Sequence, residues 1–511
     1  MSKQDRFNIT KFFFDAAEAH SDNYAIIELR KKITYSELAL EVRQTAAYFQ
    51  KRGIGVGDRV MVFIPMSIDL YRTILALFYI GATAVFLDEW VSKARLKQSS
   101  QLANCKGFIG TPKANILRLI TKELRQIPIS LSVKCRTNSV IGNSATTIES
   151  SALITFTTGS TGVPKAADRT HGFLKAQFDV LKEKMQSQPG DIDMPMLPIV
   201  LFINLGVGAT SIITDYNSRK PNSISPSRLI DQLKSNKVHR LTASPFVVNK
   251  IAEQLLSMNL SLPNLRQVFT GGAPVFPLEA KLYQRAFPDV DVQIIYGSTE
   301  AEPISAISPH ELVDKILTTG LPVGEIHKQT NLKILSLNSS HQHNSSVAEF
   351  SNRIVPDGLL GEIVVSGDHV LKKYFNNPIA YQENKINVDG EIWHMTGDSG
   401  YLLDGKLFLT GRCSQLIKRG ETYISPFIIE NKIQLLSSNQ IGTILEHNGD
   451  IHLVVEQGLS EKTLLETFEH LAYDKLNWIA KIPRDPRHHS KIDYKKLLQH
   501  LFGIENPSLT N

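Results

Sequence analysis

Apolar positions along the chain recur at two periods, one helical and one strand-like. Ile33-Thr34-Tyr35-Ser36-Glu37-Leu38 reads as a strand end and then a helix, with Ser36 as cap and an apolar stripe from Leu38 toward Tyr48-Phe49. Gly53–Asp58 reads as a turn, Arg59–Ile64 as a strand and Tyr71–Tyr79 as a helix. After Gly81, the run Ala84–Leu87 reads as a buried strand, as does Ala152-Leu153-Ile154-Thr155-Phe156. Helix and strand alternate in this way to about residue 310, which predicts parallel sheets covered by helices. From about Ile334 the texture changes. Ser336–Ser351, rich in Ser, Asn and His, reads as an exposed loop, and Gly361–Ser366 and Lys406–Thr410 as short strands of a small β-rich subdomain. Beyond Gly411-Arg412, Pro426–Leu436 and Ser460–Tyr473 read as helices. The expected fold is α/β: a large N-terminal domain, residues 1–413, of stacked parallel-rich sheets with helices and the β-rich subdomain, then a small mobile α+β C-terminal domain, residues 414–511.

Composition narrows the class. A chain of 511 residues, 42% hydrophobic and 21% charged, is ordinary for a soluble globular protein of two or three folding units. The net charge of +6 is spread in short pairs such as Lys51-Arg52 and Lys495-Lys496, so no nucleic-acid partner is expected. Cys105, Cys135 and Cys413 are far apart and odd in number, which offers neither a disulfide framework nor zinc spacing and fits a reducing compartment. The charged N-terminus leads into no signal-peptide core. Thr73–Leu87 and Ile199–Ile213, the longest apolar stretches, are short for a membrane span and contain glycine; buried helix or strand is expected. The expectation is a cytoplasmic protein with no integral membrane association.

The stretch carrying most chemistry is Thr157-Thr158-Gly159-Ser160-Thr161-Gly162-Val163-Pro164-Lys165. Glycines free backbone N–H groups to face an anion, hydroxyls add donors and the lysine adds charge, which is how a loop holds a polyphosphate. The order differs from the common P-loop, and alone the stretch reads equally as a polar surface loop. It is followed by Gly271-Gly272-Ala273-Pro274, Tyr296-Gly297-Ser298-Thr299-Glu300, Thr396-Gly397-Asp398, Gly411-Arg412, and Pro483-Arg484 through Lys491-Ile492. In that order these motifs resemble the adenylate-forming superfamily of acyl-CoA synthetases, luciferases and peptide-synthetase adenylation domains. The resemblance runs from about Ile33 to Leu497.

The resemblance implies an AMP-forming ligase: a carboxylate attacks the α-phosphorus of ATP, giving an acyl-adenylate and pyrophosphate. It places Thr157, Ser160, Thr161 and Lys165 on the pyrophosphate side, in a loop that also holds Thr158, Gly159 and Gly162. Gly271, Gly272 and Ala273 form the adenine-side loop, with Tyr296 and Gly297 beside the base. Thr299 contacts phosphate and Glu300 binds Mg²⁺, which prefers hard oxygen ligands. Asp398 accepts the ribose hydroxyls, Arg412 supports ribose or phosphate, and Lys491 bridges the carboxylate and the α-phosphate in the transition state. On its own residues, the Gly-Asp-Ser-Gly stretch around Asp398 reads equally as a plain turn. Two positions depart from the family pattern: Ser414 stands where the hinge is usually Asp or Lys, and Ser490 where glycine usually precedes the lysine.

Leu197-Pro198-Ile199-Val200-Leu201-Phe202-Ile203-Asn204 and Ser244-Pro245-Phe246-Val247-Val248 suggest an apolar tunnel without charged groups, suited to an aliphatic acid rather than an amino acid. Phe86-Leu87-Asp88, Gly110–Ala114, Lys385-Ile386, Trp393-His394-Met395 and Arg487-His488-His489-Ser490-Lys491-Ile492 resemble the β-lactone synthetases of olefin biosynthesis, in which a β-hydroxyl attacks its own acyl-adenylate. Lys418-Arg419-Gly420 through Pro426 is more similar to an ordinary acyl-CoA synthetase, with coenzyme A as thiol acceptor. Transfer to a carrier protein and a non-catalytic nucleotide-binding homologue are the further alternatives. Nothing after Leu497 has the length of a carrier domain.

Overall fold

Thr34, rather than Ser36, caps the helix Tyr35–Lys51. Its hydroxyl accepts from the Glu37 N–H while the Glu37 carboxylate accepts from the Thr34 N–H, so two end donors are satisfied reciprocally. This computed structural model describes residues 6–87, 93–134, 137–158, 164–214, 223–313, 317–337, 343–437, 440–471, 473–485 and 491–503. The helix Ile68–Tyr79 and the strands Arg59–Phe63 and Thr83–Phe86 form where the apolar pattern predicts.

Two large sheets organise the chain. In the first, six strands run in the order Ile129–Ser132, Gly107–Gly110, Arg59–Phe63, Thr83–Phe86, Ser151–Thr158, Pro164–Thr170. All neighbours are parallel except the last pair. The second has a parallel centre of Ile192–Pro195, Arg240–Ala243, Gln267–Gly271 and Asp291–Ser298. It then turns antiparallel through Ala301–Ile307, Leu321–Ile326, Lys406–Arg412, Glu391–Leu403, Gly361–Ser366 and Asn331–Leu335. The β-rich strands expected as a subdomain therefore continue the central sheet, joined at Leu321–Ile326. The helices His171–Met185 and Pro198–Val207 pack together and contact strands of the second sheet.

Two further expectations need revision. Ser336–Ser351 is not all loop: it contains the strand Asn344–Ser345 and the first turns of the helix Val347–Asn352, which Ser346 and Glu349 cap reciprocally. Phe350 is buried there against Trp393, ring centres 5.0 Å apart. The helix expected over Ser460–Tyr473 is confined to Glu461–Thr467. After the short turn Cys413–Gln415, the chain forms a hairpin, Ile417–Arg419 with Thr422–Ile424. The helix Pro426–Leu436, the three-stranded sheet Gly442–His447, Asp450–Glu456, Lys475–Ile479 and a closing helix Tyr494–Phe502 follow. Apolar clusters around Ile433, Leu453 and Leu497 hold this region together. Among the described residues no helix is long and apolar enough to cross a membrane.

Candidate active site

Lys165 lies in the strand Pro164–Thr170, directly opposite Thr157 in the antiparallel pair with Ser151–Thr158, and not in the loop where it was expected. Gly159, Ser160, Thr161 and Gly162 fall outside the described residues; Thr157 and Thr158 close the preceding strand. The Lys165 ammonium donates to Asn384 Oδ1 at 2.7 Å. Burial lowers its pKa, while the Glu300 and Glu383 carboxylates oppose that shift. Four residues on, and on the same face by strand alternation, Arg169 donates to Thr155 Oγ1 at 3.0 Å and to the Thr299 carbonyl at 3.1 Å. That second bond fastens the Tyr296–Glu300 motif to the strand of Lys165.

The segment Val370–Phe375 ties the two sheets together. The Phe375 N–H donates to the Ala166 carbonyl at 2.8 Å and the Leu371 N–H to the Glu300 carbonyl at 2.7 Å. Tyr374 then places its hydroxyl 3.4 Å from Glu300 Oε1. Beneath it, fully buried Lys385 donates to the Leu371 carbonyl, with its ammonium 5.4 Å from the Tyr374 ring centre. Burial pulls the Lys385 pKa down to about 7, against the pull of Glu300. Glu300 itself sits in the turn between Asp291–Ser298 and Ala301–Ile307.

Asp398 does not occupy a turn. It lies inside the strand Glu391–Leu403, opposite Arg412. Its Oδ2 accepts from the Tyr296 hydroxyl at 2.8 Å, and its Oδ1 lies 3.2 Å from Arg412 Nε. Arg412 also donates to the Thr396 carbonyl at 2.9 Å, and the Asp398 charge raises the arginine's pKa. A carboxylate offers about four lone-pair positions, so about two remain for another donor pair. Glu362 accepts from the Gly397 N–H at 3.2 Å; burial and neighbouring Asp398 push its carboxyl up to about 7.

The glycines are required by the strands themselves. A Cβ on Gly271 would fall 2.4 Å from the Ile295 carbonyl oxygen, and one on Gly297 would fall 2.8 Å from that of Ala301. Gly272 has φ +84°, a conformation that favours glycine.

A cavity of about 3300 Å³ joins these groups. Its apolar wall includes Leu197, Ile199, Val200, Phe202 and Val247, as expected, but Arg169, Lys184 and Glu302 also line it, so it is not free of charge. Lys491 lines the same cavity. It is exposed, and its N–H and carbonyl are both held by Asp485 at 2.9 Å; residues 486–490 lie outside the described residues. Among the described residues no group of three or more His, Cys, Asp or Glu side chains is placed to hold a metal. The Glu300 carboxylate suits an ion that takes its other ligands from phosphate and water, the habit of Mg²⁺.

The structure thus brings Lys165, Tyr296, Thr299, Glu300, Asp398 and Arg412 into one connected cluster. Arg169, Tyr374, Asn384 and Glu362 belong to it and were not foreseen. The one local signal for Arg169 is its strand-face spacing from Lys165.

A profile of the AMP-binding enzyme family matches residues 13–375. The chain is 28% identical to the olefin beta-lactone synthetase of Xanthomonas campestris, over 91% of this chain and 90% of that one. It is 24% identical to 4-coumarate-CoA ligase 1 of Narcissus pseudonarcissus, over 83% and 79%. Its fold is similar to that of the amide bond synthetase McbA of Marinactinospora thermotolerans, with TM-score 0.81, 18% identity, and 96% of this chain and 100% of that one covered.

Proposed function

Since this chain belongs to the AMP-binding enzyme family and is an AMP-forming acid ligase, we propose that it uses ATP and Mg²⁺ to activate an aliphatic β-hydroxy acid and then closes a β-lactone. The observation that carries the reading is the joining of the Lys165–Glu300–Asp398 cluster to an apolar-walled cavity. An acid carboxylate oxygen attacks the α-phosphorus, and the bond to pyrophosphate breaks. Lys165 and Lys491 offset the charge that both anions bring together. Asp398 takes the ribose hydroxyls on its remaining lone pairs, with Tyr296 and Arg412 holding the carboxylate in place. Thr299 contacts phosphate, and the glycine-rich stretches Thr157–Gly162 and Gly271-Gly272-Ala273 approach the nucleotide by backbone. Glu300 holds Mg²⁺, which neutralises phosphate charge when bound. Residues 414–511 act as the mobile unit that presents Lys491.

In the second step the substrate's hydroxyl oxygen attacks the acyl carbon, the bond to AMP breaks, and the hydroxyl proton leaves to solvent. The 28% identity to a β-lactone synthetase supports this step. Thioester formation with coenzyme A is the second reading, favoured by the hairpin around Lys418-Arg419-Gly420 and by the likeness to a CoA ligase.

The test is product mass from ATP, Mg²⁺ and β-hydroxy acids with and without coenzyme A. A product one water lighter than the acid, formed without thiol, supports lactonisation. A thioester formed only with coenzyme A overturns it.

A further inference from the structure

The helix Pro112–Ile120 is turned inside out. Its polar side chains hold it to the protein: Asn115 donates to the Gly110 carbonyl at 3.2 Å, and Arg118 donates to the Ile127 carbonyl at 2.7 Å, with its guanidinium 5.9 Å from the Phe108 ring centre. Ala114, four residues before Arg118 and so on the same face, packs beside Phe108. The large apolar side chains point away. Ile116, Leu119 and Ile120 are 62%, 60% and 76% exposed, and Leu117 beside them is 37% exposed. At about 100° per residue these four share the arc opposite Ala114 and Arg118. A surface helix ordinarily turns its apolar stripe to the core. Single exposed leucines are common, but four on one short helix make a patch on the order of the largest that a monomer leaves open, and such patches are often functional.

The patch has a basic border. Lys113 stands in the helix's first turn, and Lys122 and Arg125 in the short helix Lys122–Arg125 that follows; all three are exposed. Half-buried Glu123 is the one acid between residues 112 and 125. The support is firm, because Thr111 caps the helix through the Ala114 N–H and donates its own N–H to the Phe63 carbonyl at 3.2 Å. Ile64, the next residue, lines the cavity, so the helix starts beside that wall.

We propose that the helix Pro112–Ile120 docks flat on an anionic lipid bilayer, with Ile116, Leu119 and Ile120 in the acyl boundary and Lys113, Lys122 and Arg125 at the headgroup phosphates. This goes beyond the activity proposed above and does not depend on it. An aliphatic face bordered by cations is the pattern of an interfacial helix, which needs no membrane span. A second copy of the chain would bring the same cations against these, which repel. Protein interfaces draw on aromatic anchors and are poor in lysine, and the stretch 112–125 holds two lysines and no aromatic residue.

The test is co-sedimentation of the full chain with vesicles of phosphatidylcholine alone, or mixed in roughly equal parts with phosphatidylglycerol. Wild type should bind the mixed vesicles more tightly, and added salt should release it. Ile116→Ser/Leu119→Ser/Ile120→Ser should lower that binding by at least about a hundredfold. Lys113→Gln/Lys122→Gln/Arg125→Gln should lower it by about fivefold per cation, about a hundredfold in all, with little effect on phosphatidylcholine alone. Melting curves verify folding. Ile120→Trp covers failure of the triple variants to fold: on mixed vesicles its fluorescence should shift to the blue relative to the wild type's three tryptophans. Wild-type binding to neither vesicle, folded variants that bind like wild type, or an Ile120→Trp signal unmoved by lipid each overturn the proposal. So does self-association of wild type without lipid that the serine variant abolishes, which would give the face to a second copy.

Discussion

Replacing Asp398 with Asn tests its proposed ribose-binding role while keeping the side chain's size. In the folded chain the carboxylate already serves Tyr296 at 2.8 Å and Arg412 at 3.2 Å. The amide retains one acceptor oxygen, and its NH₂ must face a donor on one side. Hydrogen bonds to a charged group contribute about 1.5–3 kcal/mol and neutral ones about 0.5–1.5, so each ribose hydroxyl loses about 1 kcal/mol. Two such losses come to about 2 kcal/mol, or about thirtyfold in ATP affinity. Arg412 is about half exposed, so solvent compensates much of its lost partner, and melting should fall by about 1–3 °C. The assay is KM for ATP in pyrophosphate release, beside a thermal melt. A KM for ATP within twofold of wild type in a folded variant would refute the ribose assignment. A collapse in melting temperature of more than about 10 °C would show instead that Asp398 acts mainly in holding the strands.

Lys491→Ala should lower pyrophosphate release by about a hundred- to a thousandfold and leave ATP binding and melting nearly unchanged, since the side chain is exposed; loss of folding would contradict its assignment. Gly271→Ala should lower the melting temperature by a few degrees, because the added Cβ meets the Ile295 carbonyl oxygen at 2.4 Å. Glu362 and Glu430 each have a folded pKa raised to about 7 by burial. Unfolded, such carboxyls lose their protons at about pH 4.3, so the folded state binds more protons between about pH 4.5 and 7, and stability falls as pH rises through that window. The double variant Glu362→Gln/Glu430→Gln should show a shallower decline in melting temperature from about pH 5 to 7.5; an unchanged slope would reject the shifts.

Local patterns carried much of the fold. The alternation Arg59–Phe86 and the helix Pro426–Leu436 were legible from local pattern, the first with Ser67 capping its helix and the second with proline at its start. What failed was non-local. Lys165 and Asp398 sit amid turn-forming residues, yet each is drawn into a strand by a partner, Thr157 in one case and Arg412 in the other. At the helix Tyr35–Lys51, Thr34 and Ser36 are both able caps, and Glu37 decides for Thr34 by completing the reciprocal pair. Lys385 would ordinarily be read as exposed; it is fully buried and donates to the Leu371 carbonyl, fourteen residues earlier. Of the cluster, the described motif residues were legible by order. Arg169, Tyr374 and Asn384, which lock those motifs together, were not, because each bonds to a residue more than 70 positions away.

Acid-dependent exchange of labelled pyrophosphate into ATP addresses the central claim most directly, because it reads reversal of adenylation without needing any acceptor. With Mg²⁺ and an aliphatic acid, label should enter ATP, and it should fail to do so when the acid is omitted or Lys491 is replaced. Exchange that ignores the acid, or ADP and phosphate as the products, would contradict acyl-adenylate formation by this site.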